Sequence, residues 1–277
     1  MDVRLMAFDL DGTLLGSDKH VPEKNRRALR KAAEKGIRLM LCSGRAFEVQ
    51  LEYADEIGVD FLFSSANGAR IDASRDGGIL RETPLETETA RQIFQMLRDR
   101  GMYFMAYTRG RSYMYNIDEQ KRLKKHHHAP GRHVYSGREY EIVVDPERIA
   151  AECWKSTYKF ICFGEDYDPR FEEIRRDLAR FDLSLSSSWR DNLEIMHPQA
   201  DKGMAVRFAA EHLGVAPEQV MVFGDNSNDL PMFRYAGWPV AMGNGEKCAL
   251  DLARIVAPDN DSGGVGAIIE KYVLGEE

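Results

Sequence analysis

Apolar residues along this chain come in short unbroken runs toward both ends and in looser alternation between them. Leu5–Phe8 is such a run, of the kind a strand buried on both faces requires, and it stops at Asp9 with a second carboxylate, Asp11, two residues on. Downstream, Ala28, Leu29, Ala32 and Ala33 share one face of a helix that Pro22 opens and Gly36 closes. Residues 37–42 form a second buried-type run, 46–57 a helix closed by Gly58, and 60–65 a third run ending at the turn-forming pair Asn67-Gly68. Strand alternates with helix, which predicts a right-handed, doubly wound parallel α/β sheet. From residue 84 the rhythm changes. Residues 86–100 and 168–181 read as helices, and 102–107, 112–117, 183–187 and 193–196 as strands, a pattern that predicts an antiparallel sheet with helices on one face. The first rhythm returns with a helix opened by Asp201-Lys202-Gly203 and closed by Gly214, then apolar runs at 219–223 and 238–242. The chain thus reads as an α/β core, residues 1–83 and 196–277, carrying an inserted α+β domain at 84–195.

Composition narrows the class. At 277 residues the chain has room for two domains, taking about 150 residues for each. A net charge of −7 argues against nucleic acid or an anionic membrane as the main partner, and leaves small anions open. The four cysteines show no C-x-x-C spacing, and Cys42, Cys153 and Cys162 lie in apolar surroundings, as buried thiols of a reducing cytoplasm do. No basic segment leads into a long apolar one, and no run approaches about eighteen apolar residues, so neither export nor membrane insertion is expected.

Candidate chemistry gathers where strands end. In an open parallel sheet ligands bind beyond the carboxyl ends of the strands. Asp9 and Asp11, at i and i+2 of an extended segment, would point the same way, and their repulsion calls for a shared proton or a divalent cation such as Mg²⁺. A bare Asp-x-Asp is equally an Asp-rich turn, and Gly12 suits a turn. Ser43-Gly44-Arg45 follows the second run, so the Ser43 hydroxyl and the N–H groups opening the next helix could receive phosphate oxygens; as a bare tripeptide it is a helix cap with a solvated arginine. Asn67 is accounted for by its turn. Lys202 at a helix start opposes the helix dipole, a conflict that a bound phosphate would remove. Gly224-Asp225-Asn226-Ser227-Asn228-Asp229 is a second acidic cluster after a strand, with Asp225 and Asp229 spaced to share one side of a helical turn.

Asp9-Leu10-Asp11-Gly12-Thr13-Leu14-Leu15 resembles the first motif of the haloacid dehalogenase (HAD) superfamily of phosphohydrolases. The run at 238–242, Gly243-Asn244 and the segment at 261–264 are similar to the C-terminal pattern of its Cof-type (subfamily IIB), sugar-phosphatase-like members. The resemblance implies a Mg²⁺-dependent phosphatase of small phosphorylated metabolites, a sugar phosphate or a cofactor phosphate. Asp9 would attack phosphorus and become an aspartyl phosphate, while Asp11 would protonate the leaving oxygen and then deprotonate the hydrolytic water. Lys202 would pair with Asp9 and the phosphoryl group. Ser43, Gly44 and Asn228 would contact phosphate. Asp9, Asp225 and the backbone carbonyl of Asp11 would hold the metal, with Asp229 orienting the cluster. Arg45 and Asn67 are further candidates for substrate contact, and residues 84–195 would be the cap that selects the substrate.

Two other classes fit part of this pattern. A phospho-acceptor signalling domain also uses clustered aspartates, a lysine and Mg²⁺, though it needs neither an inserted domain nor a carboxyl poised as acid. The other is a non-catalytic phospho-ligand binding protein. Residues 121–133 hold five Lys or Arg and four His with no acidic residue, which reads as a solvated loop or, if it faces the substrate, as a preference for a second anionic group.

Overall fold

The computed structural model describes residues 1–123 and 129–276, with no account of the side chains of Arg122 and Leu123. The chain divides into two compact units, one built from Met1–Glu82 with Asp201–Glu277 and the other from Thr83–Ala200. The first unit begins β1 (Leu5–Phe8), α1 (Glu23–Glu34), β2 (Arg38–Cys42), α2 (Phe47–Ile57), β3 (Leu62–Ser65), β4 (Arg70–Asp72) and β5 (Ile79–Glu82). The second contains α3 (Thr87–Asp99), β6 (Tyr103–Thr108), β7 (Arg111–Tyr115), α4 (Ile117–Leu123), β8 (Gly131–Tyr135), β9 (Arg138–Val143), α5 (Pro146–Glu152), β10 (Lys159–Phe163), α6 (Pro169–Leu178), β11 (Ser184–Ser186) and β12 (Asn192–Met196). The first then resumes with α7 (Lys202–Leu213), β13 (Val220–Gly224), α8 (Leu230–Tyr235), β14 (Trp238–Ala241), α9 (Lys247–Leu252), β15 (Ile255–Val256) and α10 (Gly264–Ile269).

In the first unit the sheet order is β15-β14-β13-β1-β2-β3-β4-β5. Every pairing from β15 to β3 is parallel, whereas β4 and β5 add an antiparallel edge that the apolar pattern does not announce. β1 is fully buried and serves both faces. Met6 and Phe8 pack into the cluster beneath α1, α2 and α10, while Leu5 and Ala7 join the one beneath α7, α8 and α9. The order in which strands are added reverses at β1, since β2 and β3 lie on one side and β13 and β14 on the other, and this is the switch point at which doubly wound sheets bind ligands.

The second unit is a seven-stranded sheet ordered β11-β12-β10-β6-β7-β9-β8, antiparallel except where β7 meets β9. α3, α5 and α6 bury Ile93, Phe94, Ile149, Phe171 and Ile174 against one of its faces. Met196, given to the first unit by the sequence reading, is the last residue of β12 and pairs with Lys159 and Ser184. The change of unit therefore falls at residues 200–201. Of the basic stretch, 121–123 close α4 and 131–133 open the edge strand β8, so these parts are not loop; Lys124, Lys125 and His126, His127 and His128 lie outside the described residues.

Candidate active site

Asp9 is the first residue beyond β1, and its N–H donates to the Phe223 carbonyl (3.0 Å), which ties the end of β1 to the end of β13. The chain then turns on Gly12, whose φ of +79° is left-handed and whose missing Cβ leaves space taken by Asp225: a methyl there would stand 2.5 Å from Asp225 Oδ2. Thr13, fully buried, donates its hydroxyl to Asp225 Oδ1 (2.8 Å). Lys202, first residue of α7, sends its ammonium to Asp9 Oδ1 (2.7 Å) and Asp229 Oδ1 (2.6 Å) while only 1 % exposed. Asp229 Oδ2 accepts from the backbone N–H groups of Asp225 and Asn226 (2.9 and 3.0 Å), so both its oxygens are engaged.

Three carboxylates thus meet one ammonium in a buried space, and the electrostatics follow. Burial raises the Asp9 pKa well above the ordinary carboxylate range, against the pull of Lys202 and with the help of Asp229 and Asp225. Burial, then the charge of Asp229, pushes Asp225 up to about 7. For Lys202 burial acts downward, but Asp229 and Asp9 outweigh it and hold the ammonium above its ordinary range.

Asp11 stands in the opposite balance. Arg45 grips it with two parallel bonds, Nε to Oδ2 and an Nη to Oδ1 (both 2.7 Å), and Lys19 adds a third at 2.8 Å. Burial would raise its pKa, yet Arg45 and Lys19 prevail and keep the carboxyl well below the usual range. Arg45 is therefore not the solvated charge that a bare Ser-Gly-Arg suggests. Its remaining Nη donates to the Tyr53 hydroxyl (2.8 Å). Ser43, buried at the end of β2, accepts from the Arg45 N–H through its hydroxyl (3.2 Å), and Gly44 lies between them. Asn67, buried in a left-handed turn (φ +55°), donates its N–H to the Ser43 carbonyl (3.0 Å).

The haloacid dehalogenase-like hydrolase pattern matches residues 6–269. Among characterised relatives, a 5-amino-6-(5-phospho-D-ribitylamino)uracil phosphatase of Bacillus subtilis is 27% identical, covering 99% of this chain and 97% of its own. An HMP-PP phosphatase of Escherichia coli is 30% identical over 87% of this chain and 84% of its own. A haloacid dehalogenase-like hydrolase of B. subtilis superposes with a TM-score of 0.82 at 26% identity, over 98% of this chain and 100% of the other. This chain belongs to the haloacid dehalogenase-like hydrolases.

HAD-like hydrolases generally use a metal ion, and the residues here suit a hard cation. One oxygen each from Asp9, Asp225 and Asp229 lie within 4.8 Å of one another. Among the described residues Asp9 Oδ2 and Asp225 Oδ2 accept no hydrogen bond, and Asn228 Oδ1 is buried without a partner. Such an all-oxygen set suits a hard divalent cation. Asp229, with both oxygens committed, holds Lys202 and the Asp225 backbone in place. Residue-by-residue reading of this HAD chain gave no role to Thr13, Lys19 or Tyr53. Thr13 lies inside the motif Asp9–Leu15, whereas nothing local marks Lys19 or Tyr53. Among the described residues no helix is long and apolar enough to cross a membrane.

Proposed function

We propose that this HAD-like hydrolase is a Mg²⁺-dependent phosphatase of small phosphorylated metabolites, a sugar phosphate or a cofactor phosphate, acting through an aspartyl phosphate on Asp9. The observation that carries this is the buried meeting of Asp9, Asp225, Asp229 and Lys202 at the ends of β1 and β13. Relatives named for a ribitylaminouracil phosphate, for pyridoxal phosphate and for HMP-PP support the substrate class.

Asp9 attacks phosphorus through a carboxylate oxygen, opposite the leaving oxygen, and the P–O bond to the leaving group breaks. Asp11 gives that oxygen its proton, and the resulting carboxylate then takes a proton from water as the water attacks the phosphoenzyme and frees Asp9. Lys202 orients the nucleophile and offsets charge on the phosphoryl group, with Ser43, Gly44 and Asn228 as its remaining contacts. Mg²⁺, held by Asp9, Asp225 and the Asp11 backbone carbonyl, would supply charge neutralisation between phosphate and carboxylates. The contacts from Arg45 and Lys19 favour the anionic, base form of Asp11. A phosphate dianion competing for Arg45 and Lys19 would free it to carry the proton of the first step.

All these residues belong to the first unit, so substrate choice is assigned to the second, Thr83–Ala200. Free thiols at Cys42, Cys153, Cys162 and Cys248 support a reducing cytoplasm as its site of action. The test is phosphate release from a panel of phosphorylated metabolites, with Mg²⁺ or after chelation, beside Asp9→Asn. Metal-dependent release that Asp9→Asn abolishes is expected. Turnover surviving exhaustive chelation or the Asn substitution would refute the reading, and stable phosphorylation without turnover would favour a signalling domain.

A further inference from the structure

Asn244, Asn260 and Asp261 take no part in the chemistry above, yet they touch the loop that carries Asp11, and the adjoining Gly245 and Glu246 meet Asp225. We infer that Asn244, supported by Asn260, is a positioning residue that fixes Asp11 against Asp225; the inference rests on the phosphatase reading. Asn244 Nδ2 donates to the Gly12 carbonyl (2.8 Å), one residue beyond Asp11. Its Oδ1 accepts from the Asn260 N–H (2.9 Å), and Asn260 Nδ2 in turn donates to the Leu15 carbonyl (2.8 Å). Asp261 Oδ1 accepts from the Ser17 N–H (2.6 Å). Three side chains from the C-terminal segment thus hold the loop after the nucleophile at residues 12, 15 and 17.

The same turn grips Asp225 from its other side. Glu246 N–H donates to the Asp225 carbonyl (2.7 Å), and a Cβ on Gly245 would come within 3.0 Å of that oxygen. Thr13, donating to Asp225 Oδ1, closes the circuit. Asp11 and Asp225, far apart in sequence, are therefore referenced to one turn. The amide of Asn244 donates to Gly12 and accepts from Asn260 at once; a carboxylate there loses the donation and faces a carbonyl. Without Asn244 the loop would keep the bond from the Thr13 N–H to the Leu10 carbonyl (3.3 Å) but lose the side-chain tie on the Gly12 carbonyl.

Proton transfer to the leaving oxygen depends most on where Asp11 stands, and a misplacement near 1 Å can cost ~10²-fold. Asn244→Asp and, as a second variant, Asn260→Ser are to be compared with wild type on an alkyl phosphate and on p-nitrophenyl phosphate, whose leaving group needs no proton. Expected is a fall in kcat of about 10- to 10²-fold on the alkyl ester with KM nearly unchanged, a much smaller fall on the nitrophenyl ester, and a thermal midpoint lowered by only a few degrees. Parallel losses on both esters, a loss expressed in KM, or no loss at all would overturn the inference. A wild type without Mg²⁺-dependent turnover would instead sink the phosphatase reading beneath it.

Discussion

Neutralising Asp225 should make the metal-free protein more stable, by an amount that grows with pH. The folded state holds this carboxyl near 7 against an ordinary value of 3.8, because burial and Asp229 oppose its charge. A carboxyl raised in the folded state binds its proton more tightly there than in the unfolded chain. Between the two values the folded state therefore holds more protons, and stability declines as pH rises from about 4 to about 7. At ~1.36 kcal/mol per pH unit the gap amounts to about 4 kcal/mol, an upper bound because water entering the site would relax it. Asp225→Asn keeps the shape and can still accept the Thr13 hydroxyl, but carries no titration. Urea unfolding of both proteins in chelator, from pH 4 to pH 8, should show their stability difference moving in favour of Asn by up to that amount and levelling above pH 7. Saturating Mg²⁺ should remove most of the trend for wild type and leave the variant unmoved. A difference that stays flat with pH, or that moves toward Asp, would refute the picture of a cluster short of positive charge.

Lys202→Met should lose about 3–5 kcal/mol in urea unfolding at neutral pH, since it strands two buried carboxylates, and at least ~10²-fold in turnover. Gly12→Ala drives a methyl into Asp225 Oδ2 at a left-handed φ, so turnover should fall by about 10²-fold, read as phosphate release at saturating substrate. Arg45→Gln removes the main influence holding Asp11 low and leaves burial to raise it; the limb of the pH–rate profile that reports Asp11 should move to higher pH, and an unmoved limb would deny Arg45 that role.

The parts of this molecule that were legible in advance are those where one physical demand acts alone. β1 and β13 lie inside a parallel sheet, so they must be apolar throughout, and the carboxylates that end them stand out by contrast. β4 was illegible for the opposite reason. Its Arg70 and Asp72 are buried but satisfy each other through two bonds of 2.8 Å, so a buried strand reads as a polar loop. Lys159 likewise opens the fully buried β10 as half of an ion pair with Glu194 (2.8 Å), and the edge pair β8 and β9 alternates exposed polar residues with few apolar ones. In β4 and β10 an ionic partner replaces hydrophobicity, and for Lys159 no window along the chain contains that partner.

The site divides along the same line, and what was hidden gives it a charge pattern. Asp9, Asp225, Asp229 and Lys202 each follow a strand or open a helix, and together they make a buried cluster short of positive charge. Asp11, Arg45 and Lys19 meet only because the fold sets the end of β1 beside the end of β2, and there one carboxylate faces two cations. Neither imbalance is relieved by the other, since the Gly12 turn separates Asp11 from Asp225 and the Arg45 fork is committed to Asp11. A divalent cation offsets the first and a phosphate dianion the second, and each lowers the cost of binding its neighbour. Metal and substrate should therefore bind with positive coupling, a consequence of side-chain placement that no single motif contains.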